Sequence, residues 1–167
     1  MKRLFLVLFI AIFAVSLSGQ NSIDRLFEKY SGKEGFVTVS INGNLLKLIA
    51  SIDDDDDEIM KHADKFTTIR ILAQEDDNVA VENFYDMVID EVNRSGYEEL
   101  VTINSSDADV KILVKADGKV FSEFLLIAGG DENALIQIKG KLSSDDIKEM
   151  SESVKDGKSI HTSSLFN

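Results

Sequence analysis

A run of acidic residues from Asp53 to Glu58 concentrates side chains that could bind a metal ion. Calcium takes roughly six to eight oxygen ligands, which carboxylates supply. An EF-hand loop requires glycine at its sixth position, where Glu58 stands here, and alternating acids converge on one ion better than a continuous run does. Asp53, Asp55, Asp57 and Glu58 are therefore candidate calcium ligands, with a solvated acidic loop as the alternative.

Residues for acid–base or nucleophilic catalysis are few. The chain has two histidines, His62 and His161, and no cysteine. A structural zinc site needs about four nitrogen or sulfur ligands, so these residue types cannot build one. Both histidines lie in polar stretches and are interpreted as surface residues. The sequence assigns no catalytic residue, although its 30 acidic residues leave a carboxylate-based hydrolase open as an alternative.

Two glycine motifs resemble anion-binding loops without meeting their requirements. Gly157-Lys158-Ser159 lacks the glycine that a phosphate loop carries five residues earlier, where Glu152 stands. Gly129 and Gly130 could offer backbone N–H groups to an anion, but the acidic Asp131 follows them, which favours a tight turn. No cofactor is therefore expected apart from calcium, and no residue is assigned to cofactor binding.

The first 19 residues have the layout of a secretory signal peptide. Lys2 and Arg3 precede an apolar run from Leu4 to Val15, and small residues follow up to Gly19. About 12 apolar residues are too few for a membrane span, which needs roughly 20. We divide the chain into a signal peptide (1–19), one domain (20–158) and a flexible C-terminal tail (159–167). No transmembrane segment is expected after signal cleavage.

Charge and cysteine content narrow the classes of partner. Removing the two basic residues of the signal peptide from 18 leaves 16 against 30 acidic residues, a formal charge of −14. Such a surface repels nucleic acid and anionic lipid. Disulfides and thiolate chemistry are excluded because the chain has no cysteine. A protein, peptide or envelope component is the expected partner.

The stretch from Asp109 to Lys139 predicts three consecutive strands at the centre of a sheet. Period-2 alternation marks the strands at 110–115, 120–128 and 134–139, and the middle strand is apolar on both faces at its end. A three-residue turn with a left-handed Gly118 would place Val114 opposite Val120, whereas a two-residue turn would place it opposite Phe121. We favour the first, because it collects the apolar residues on one face.

Helical periodicity predicts helices at 22–30, 45–52, 79–94 and 143–155, and further strands are predicted at 36–41, 66–73 and 97–104. Arg70 alternates with Ile69 and Ile71, so it needs either a charged partner or the solvent face of its strand, and we favour the solvent face. The predicted fold is a single α+β domain. It has a mostly antiparallel sheet, a C-terminal meander at 98–139, and helices packed on one face.

Several stretches together resemble the exported bacterial family called domain of unknown function 4252. They are residues 26–36, 69–72, 84–85, 96–100 and 110–115 and the Gly-Gly-Asp turn at 129–131. The resemblance implies a small secreted or envelope-associated domain of Gram-negative bacteria, located in the periplasm or at the cell surface. It implies no activity, cofactor or catalytic residue. Many members carry a lipobox cysteine after the signal peptide, and this chain has none.

These observations favour an exported, envelope-associated binding module without enzymatic activity. The alternatives are the carboxylate-based hydrolase and a calcium-dependent adhesion or stability module. Two close acids in one cleft, one with a raised pKa, would favour the hydrolase. Calcium-dependent stability that requires the acidic run would favour the third.

Overall fold

The computed structural model describes residues 21–52, 64–76, 78–131 and 133–148. Within these ranges the helices are α1 (Ser22–Tyr30), α2 (Gly43–Ile52), α3 (Phe84–Arg94) and a short segment α4 (144–148). The strands are β1 (Phe36–Asn42), β2 (Phe66–Gln74), β3 (Glu98–Asn104), β4 (Ala108–Asp117), β5 (Val120–Gly130) and β6 (Ala134–Leu142). The predicted signal peptide and C-terminal tail lie outside the described residues.

The six strands form one antiparallel sheet in the order β1-β2-β6-β5-β4-β3. Strands β3 to β6 are the predicted meander, each paired with the next along the chain. β2 then pairs with the outer side of β6, and β1 pairs with β2. The predicted α+β class with a mostly antiparallel sheet is confirmed.

α1 and α3 cover one face of the sheet. Their apolar stripes include Ile23 and Leu26 of α1 and Phe84 and Val88 of α3, all of which are buried. They pack on side chains of four strands that point to this face, namely Leu72, Leu113, Leu125, Ile127 and Leu135. The predicted amphipathic stripes thus form the larger part of the helical layer.

The opposite face carries a second apolar cluster, which the expectation of helices on one face did not include. Leu46 of α2 and Ile147 of α4 pack there on sheet residues that include Ile112, Val114, Phe124 and Leu126. Because β4 and β5 are apolar on both faces at their centres, each face of the sheet requires cover from water.

The β4–β5 hairpin has a different register from the predicted one. Asp117 pairs with Val120 around Gly118, whose φ is 66°, and a bulge lies between Lys115 and Ala116. Val114 therefore pairs with Phe124, four residues beyond the predicted Val120. An even shift keeps side chains on the same face, so Phe124 and Leu126 lie on the predicted apolar face. The prediction is wrong for Val120, which is exposed, because the irregularity in the pairing places Phe121 on that face instead.

Two asparagines determine where α3 begins, five residues after its predicted start at Val79. Asn83 Oδ1 accepts hydrogen bonds from the N–H groups of Tyr85 at 2.8 Å and Asp86 at 3.3 Å. Asn133, from the β5–β6 turn, accepts one from the N–H of Phe84 at 2.7 Å. These side chains satisfy the first N–H groups of the helix, which have no partner within it.

Gly129 lies against this cap, and we expect its replacement to disrupt the helix start. A Cβ atom there would come within 1.8 Å of Asn83 Oδ1 and 2.8 Å of the Tyr85 nitrogen. Gly129→Ala should lower the free energy of unfolding, measured by urea denaturation, by about 3 kcal/mol. The control Gly118→Ala meets open space and should lose about 1 kcal/mol through its left-handed backbone. Equal losses in both variants would contradict this role for Gly129.

Candidate functional site

The predicted calcium ligands Asp53, Asp55, Asp57 and Glu58 lie outside the described residues, as do His62 and His161. Within the part of the chain that the structure describes, no group of three or more histidine, aspartate or glutamate side chains could hold a metal ion. Gly129 and Gly130 end β5. Both pack closely against protein atoms, Gly129 against Asn83 and Gly130 against the Asp107 carbonyl oxygen.

Arg70 lies on the face of the sheet that α1 and α3 cover, which we call the helix-covered face. Its predicted position on the solvent face is therefore wrong. Its Nη2 atom donates to Asp24 Oδ1 of α1 at 2.6 Å, and its Nε atom donates to Gln137 Oε1 of β6 at 2.8 Å. The guanidinium carbon lies 4.2 Å from the ring centroid of Phe27. The charge thus has an anionic partner and an aromatic neighbour, the other of the two arrangements that the sequence allowed.

A chain of hydrogen bonds continues from Arg70 into the interior. Gln137, which is 1 % exposed, donates through Nε2 to Glu123 Oε1. The Tyr97 hydroxyl donates to the same oxygen at 2.6 Å. Burial, and then the bond to Glu123 and the charge of its carboxylate, raise the pKa of Tyr97 well above its usual value. Tyr97 therefore stays neutral and holds the buried carboxylate in place.

A shallow depression of about 360 Å³ opens at the outer end of this chain. Its walls come from α1, β1 and β2, and include Phe27, Glu28, Thr38, Ser40 and Arg70. Thr38 and Ser40 point to the helix-covered face, since they pair with Leu72 and Arg70 of β2. The Oγ1 atom of Thr38 is buried and has no hydrogen-bond partner among the described residues. Such an atom marks a place where a bound group could supply the missing bond.

β1 forms the edge of the sheet beside this depression. Within the described ranges it pairs with β2 alone, in continuous register over all seven residues. Val37, Val39 and Ile41 are half-buried on the face opposite to the depression. The outer backbone N–H and C=O groups of an edge strand are available for pairing with another strand.

A second depression, of about 320 Å³, lies at the junction of β1, α2 and β2 and is lined by Lys47, Lys65 and Lys141. Lys65 donates to Asp146 at 2.8 Å, and Asp146 also accepts from the N–H and hydroxyl groups of Ser143. Burial opposes ionisation of Asp146, but these hydrogen bonds outweigh it and lower its pKa to about 2. One of the three lysines is therefore committed to a structural ion pair.

Carboxyl groups with a resolved pKa shift in the described part of the chain all shift downwards, namely Asp76, Glu82, Glu91, Glu99 and Asp146. Hydrogen bonds from neighbouring donors cause the decrease in every case. A hydrolase acid would need a raised pKa to hold its proton near neutral pH. These five groups are therefore ionised near neutral pH and accept hydrogen bonds as carboxylates.

Sequence reasoning selected Arg70 but missed the residues around it. Thr38 and Ser40 gave only the period-2 signal of a strand, and Asp24 only that of an exposed helix position. The composition of β1 pointed the other way, because edge strands commonly carry charges that prevent pairing and β1 carries none.

Loss of Arg70 should destabilise the fold much more than loss of a surface arginine. Arg70→Ala leaves Asp24 and Gln137 without their donor and removes the contact with Phe27, so we expect a decrease of about 2–3 kcal/mol in the free energy of unfolding. Arg25→Ala is the matched control, since Arg25 of α1 pairs with Glu91 at the surface and should lose less than about 1 kcal/mol. A comparable loss in Arg25→Ala, measured by urea denaturation, would refute the structural role of Arg70.

The Asp146 ion pair predicts an acid-dependent contribution to stability. Its pKa in the folded chain is below the ordinary 3.8, so the unfolded chain binds the proton more readily as pH falls. The contribution, about 2 kcal/mol, is complete above roughly pH 5 and is lost as pH approaches 2. Asp146→Asn should therefore be less stable than the unaltered chain at about pH 6, with the difference shrinking towards about pH 3. A gap that stays constant with pH, or an equal loss in the exposed neighbour Asp145→Asn, would argue against it.

Comparisons with known proteins identify the family of the chain but no specific function. In the described part of the chain no helix is long and apolar enough to cross a membrane. Searches of curated proteins and of solved structures find no match. The family described as "Domain of unknown function (DUF4252)" matches residues 30–150, well over half of the sequence. The chain therefore belongs to the DUF4252 family, as the resemblance in its motifs predicted.

Proposed function

We propose that this chain is an exported, non-enzymatic binding domain that accepts an extended segment of a protein along β1. The observation that carries the proposal is the edge of β1, which pairs with β2 alone among the residues that the structure describes and lacks the features that normally prevent strand addition. Strand addition supplies main-chain hydrogen bonds for affinity, and alternate side chains supply specificity.

The two edges of the sheet differ in their protection. β3 carries Glu98 and Glu99, and a register shift interrupts its pairing with β4 between Glu99 and Val101. Charges and bulges of this kind prevent edge-to-edge association. β1 has no charged residue, no proline and no register shift along its seven residues. An incoming strand is therefore favoured at β1.

Side chains on either side of β1 define what the incoming strand would meet. On the helix-covered face it meets the hydroxyl groups of Thr38 and Ser40 and the rim of the depression near Arg70. On the other face it meets the half-buried Val37, Val39 and Ile41. A segment that alternates small hydrogen-bonding residues with β-branched apolar residues would complement both faces.

Export places this binding in the bacterial envelope. The basic start, the short apolar run and the small residues up to Gly19 support cleavage of a signal peptide and location in the periplasm or at the cell surface of a Gram-negative bacterium. The strongly acidic composition supports a protein partner over nucleic acid or anionic lipid.

Photo-crosslinking in the native cells tests this proposal. Benzoylphenylalanine in place of Ser40, on β1, should crosslink to the partner, and the adduct should be found in the envelope fraction. The mass of this protein in the adduct should show that the signal peptide has been removed. The same probe at Lys119, in the β4–β5 turn, is the control and should give none. Digestion and mass spectrometry should map the adduct to an extended segment of the partner.

A pair of lysine variants tests whether the Ser40 adduct depends on the β1 edge. Val39→Lys adds a charge to β1 and should abolish the Ser40 adduct, whereas Ile103→Lys adds the same charge to β3 and should leave it intact. Absence of an adduct at Ser40, or an adduct insensitive to Val39→Lys, would overturn the proposal.

A further inference from the structure

We infer that the strand that pairs with β1 is β1 of a second copy of the chain, so that two six-stranded sheets join into one. This inference rests on the proposed function and names the partner of the same edge. The surface joins identical subunits about a two-fold axis that passes between the two copies of Val39. Such isologous contacts are the commonest in protein dimers.

The sequence of β1 is complementary to itself in one antiparallel register. With Val39 opposite its own copy, Val37 lies opposite Ile41 and Phe36 opposite Asn42, and all seven residues are paired. Residues directly opposite each other in an antiparallel pair point to the same face. Apolar side chains therefore meet apolar side chains on one face, with no like charges opposed.

The same register places Thr38 opposite Ser40 of the second copy. Thr38 Oγ1 is buried and has no partner among the described residues. Rotation of the Thr38 side chain would bring it to a hydroxyl directly across the strand, which can donate to it or accept from it. The two-fold axis repeats this contact, so one register supplies the missing hydrogen bond in both copies. A register shifted by one residue would instead place Thr38 opposite Val39 of the second copy. The layers formed by α1 and α3 in the two copies would then lie on opposite faces of the joined sheet.

Exposed apolar residues extend this surface beyond β1. Leu45 and Leu48, in the first two turns of α2 directly after β1, are 43 % and 56 % exposed. Large exposed apolar side chains are typical of an association surface. β3 also carries two, Leu100 and Ile103, so the choice of β1 rests on its lack of charges and its regular pairing. The charge of Asp24 near the same edge is compensated by Arg70 at 2.6 Å.

Net charge opposes this association at a distance. Without the two basic residues of the signal peptide, each copy carries 16 basic and 30 acidic residues, a formal charge of −14. β1 itself is neutral, so the dimer is held by backbone and apolar contacts against a general repulsion. Salt screens the repulsion. We therefore expect the dissociation constant to fall as salt is raised, and a rise with salt would show that ion pairs elsewhere hold the dimer.

Sedimentation equilibrium of the chain purified from cells that express the full sequence is the first test. The unaltered chain should be a dimer. Val39→Lys, which opposes two lysines at the axis, should raise the dissociation constant by roughly 100-fold or more. Ile103→Lys, on the other edge strand, should remain dimeric. Both variants lower the net negative charge equally, so weaker association of Val39→Lys alone cannot come from general repulsion.

Cysteine crosslinking fixes the register without a disruptive charge. The chain contains no cysteine, so each introduced thiol is the only one. Directly opposed residues have Cα atoms about 4.5–5.5 Å apart, within the range of a disulfide. Val39→Cys should crosslink to itself under mild oxidation. Val37→Cys alone should not, because its own copy is about 13 Å away along the strands, but it should crosslink to Ile41→Cys in a mixture.

The outcomes separate this inference from the proposed function. A chain that is monomeric at high concentration, or a dimer that crosslinks through Val37→Cys alone or through Ile103→Cys, overturns the inference. If the Ser40 probe then maps a different protein on β1, the proposed function stands with another partner. If the probe also gives no adduct, both fail.

Discussion

Burial of β5 on both faces is the constraint from which the rest of the architecture follows. Phe124 and Leu126 belong to one apolar cluster, and Leu125 and Ile127 to the other. β4 and β6 satisfy the backbone of β5 on its two sides. A strand with two apolar faces needs cover above and below, so α1 and α3 occupy one face, while α2 and α4 contribute to the other.

A polar row crosses the helix-covered face from the edge of the sheet towards β5. Ser40 lies opposite Arg70, and Arg70 lies opposite Gln137, on three neighbouring strands. Gln137 continues the row to Glu123 and Tyr97. Buried polar groups are tolerated when they are hydrogen-bonded to one another. The row therefore holds the Arg70 side chain in one position at the rim of the depression, and a binding partner would meet a preformed surface there.

The sheet is asymmetric in how its edges meet the solvent. β3 has two glutamates and a register shift, whereas β1 is neutral and regular. An edge without protection is costly to leave open in a concentrated solution of protein. With one protected edge, the association that we propose would be confined to β1, which would give a closed pair of subunits and prevent open-ended growth.

Periodicity in the sequence by itself determined the faces of the strands and helices, the α+β class and the meander, because alternation of 2 and 3.6 residues is a property of the local backbone. It also determined the family, through the order of motifs along the chain. Tertiary structure alone decided the rest, because the deciding partners are far apart in sequence. Arg70 is bonded to Gln137, 67 residues away, and the α3 start depends on Asn133, 49 residues from Phe84. For the same reason no local pattern shows that β1 lies at an edge: strand order is set by which long-range pairings bury the most apolar surface.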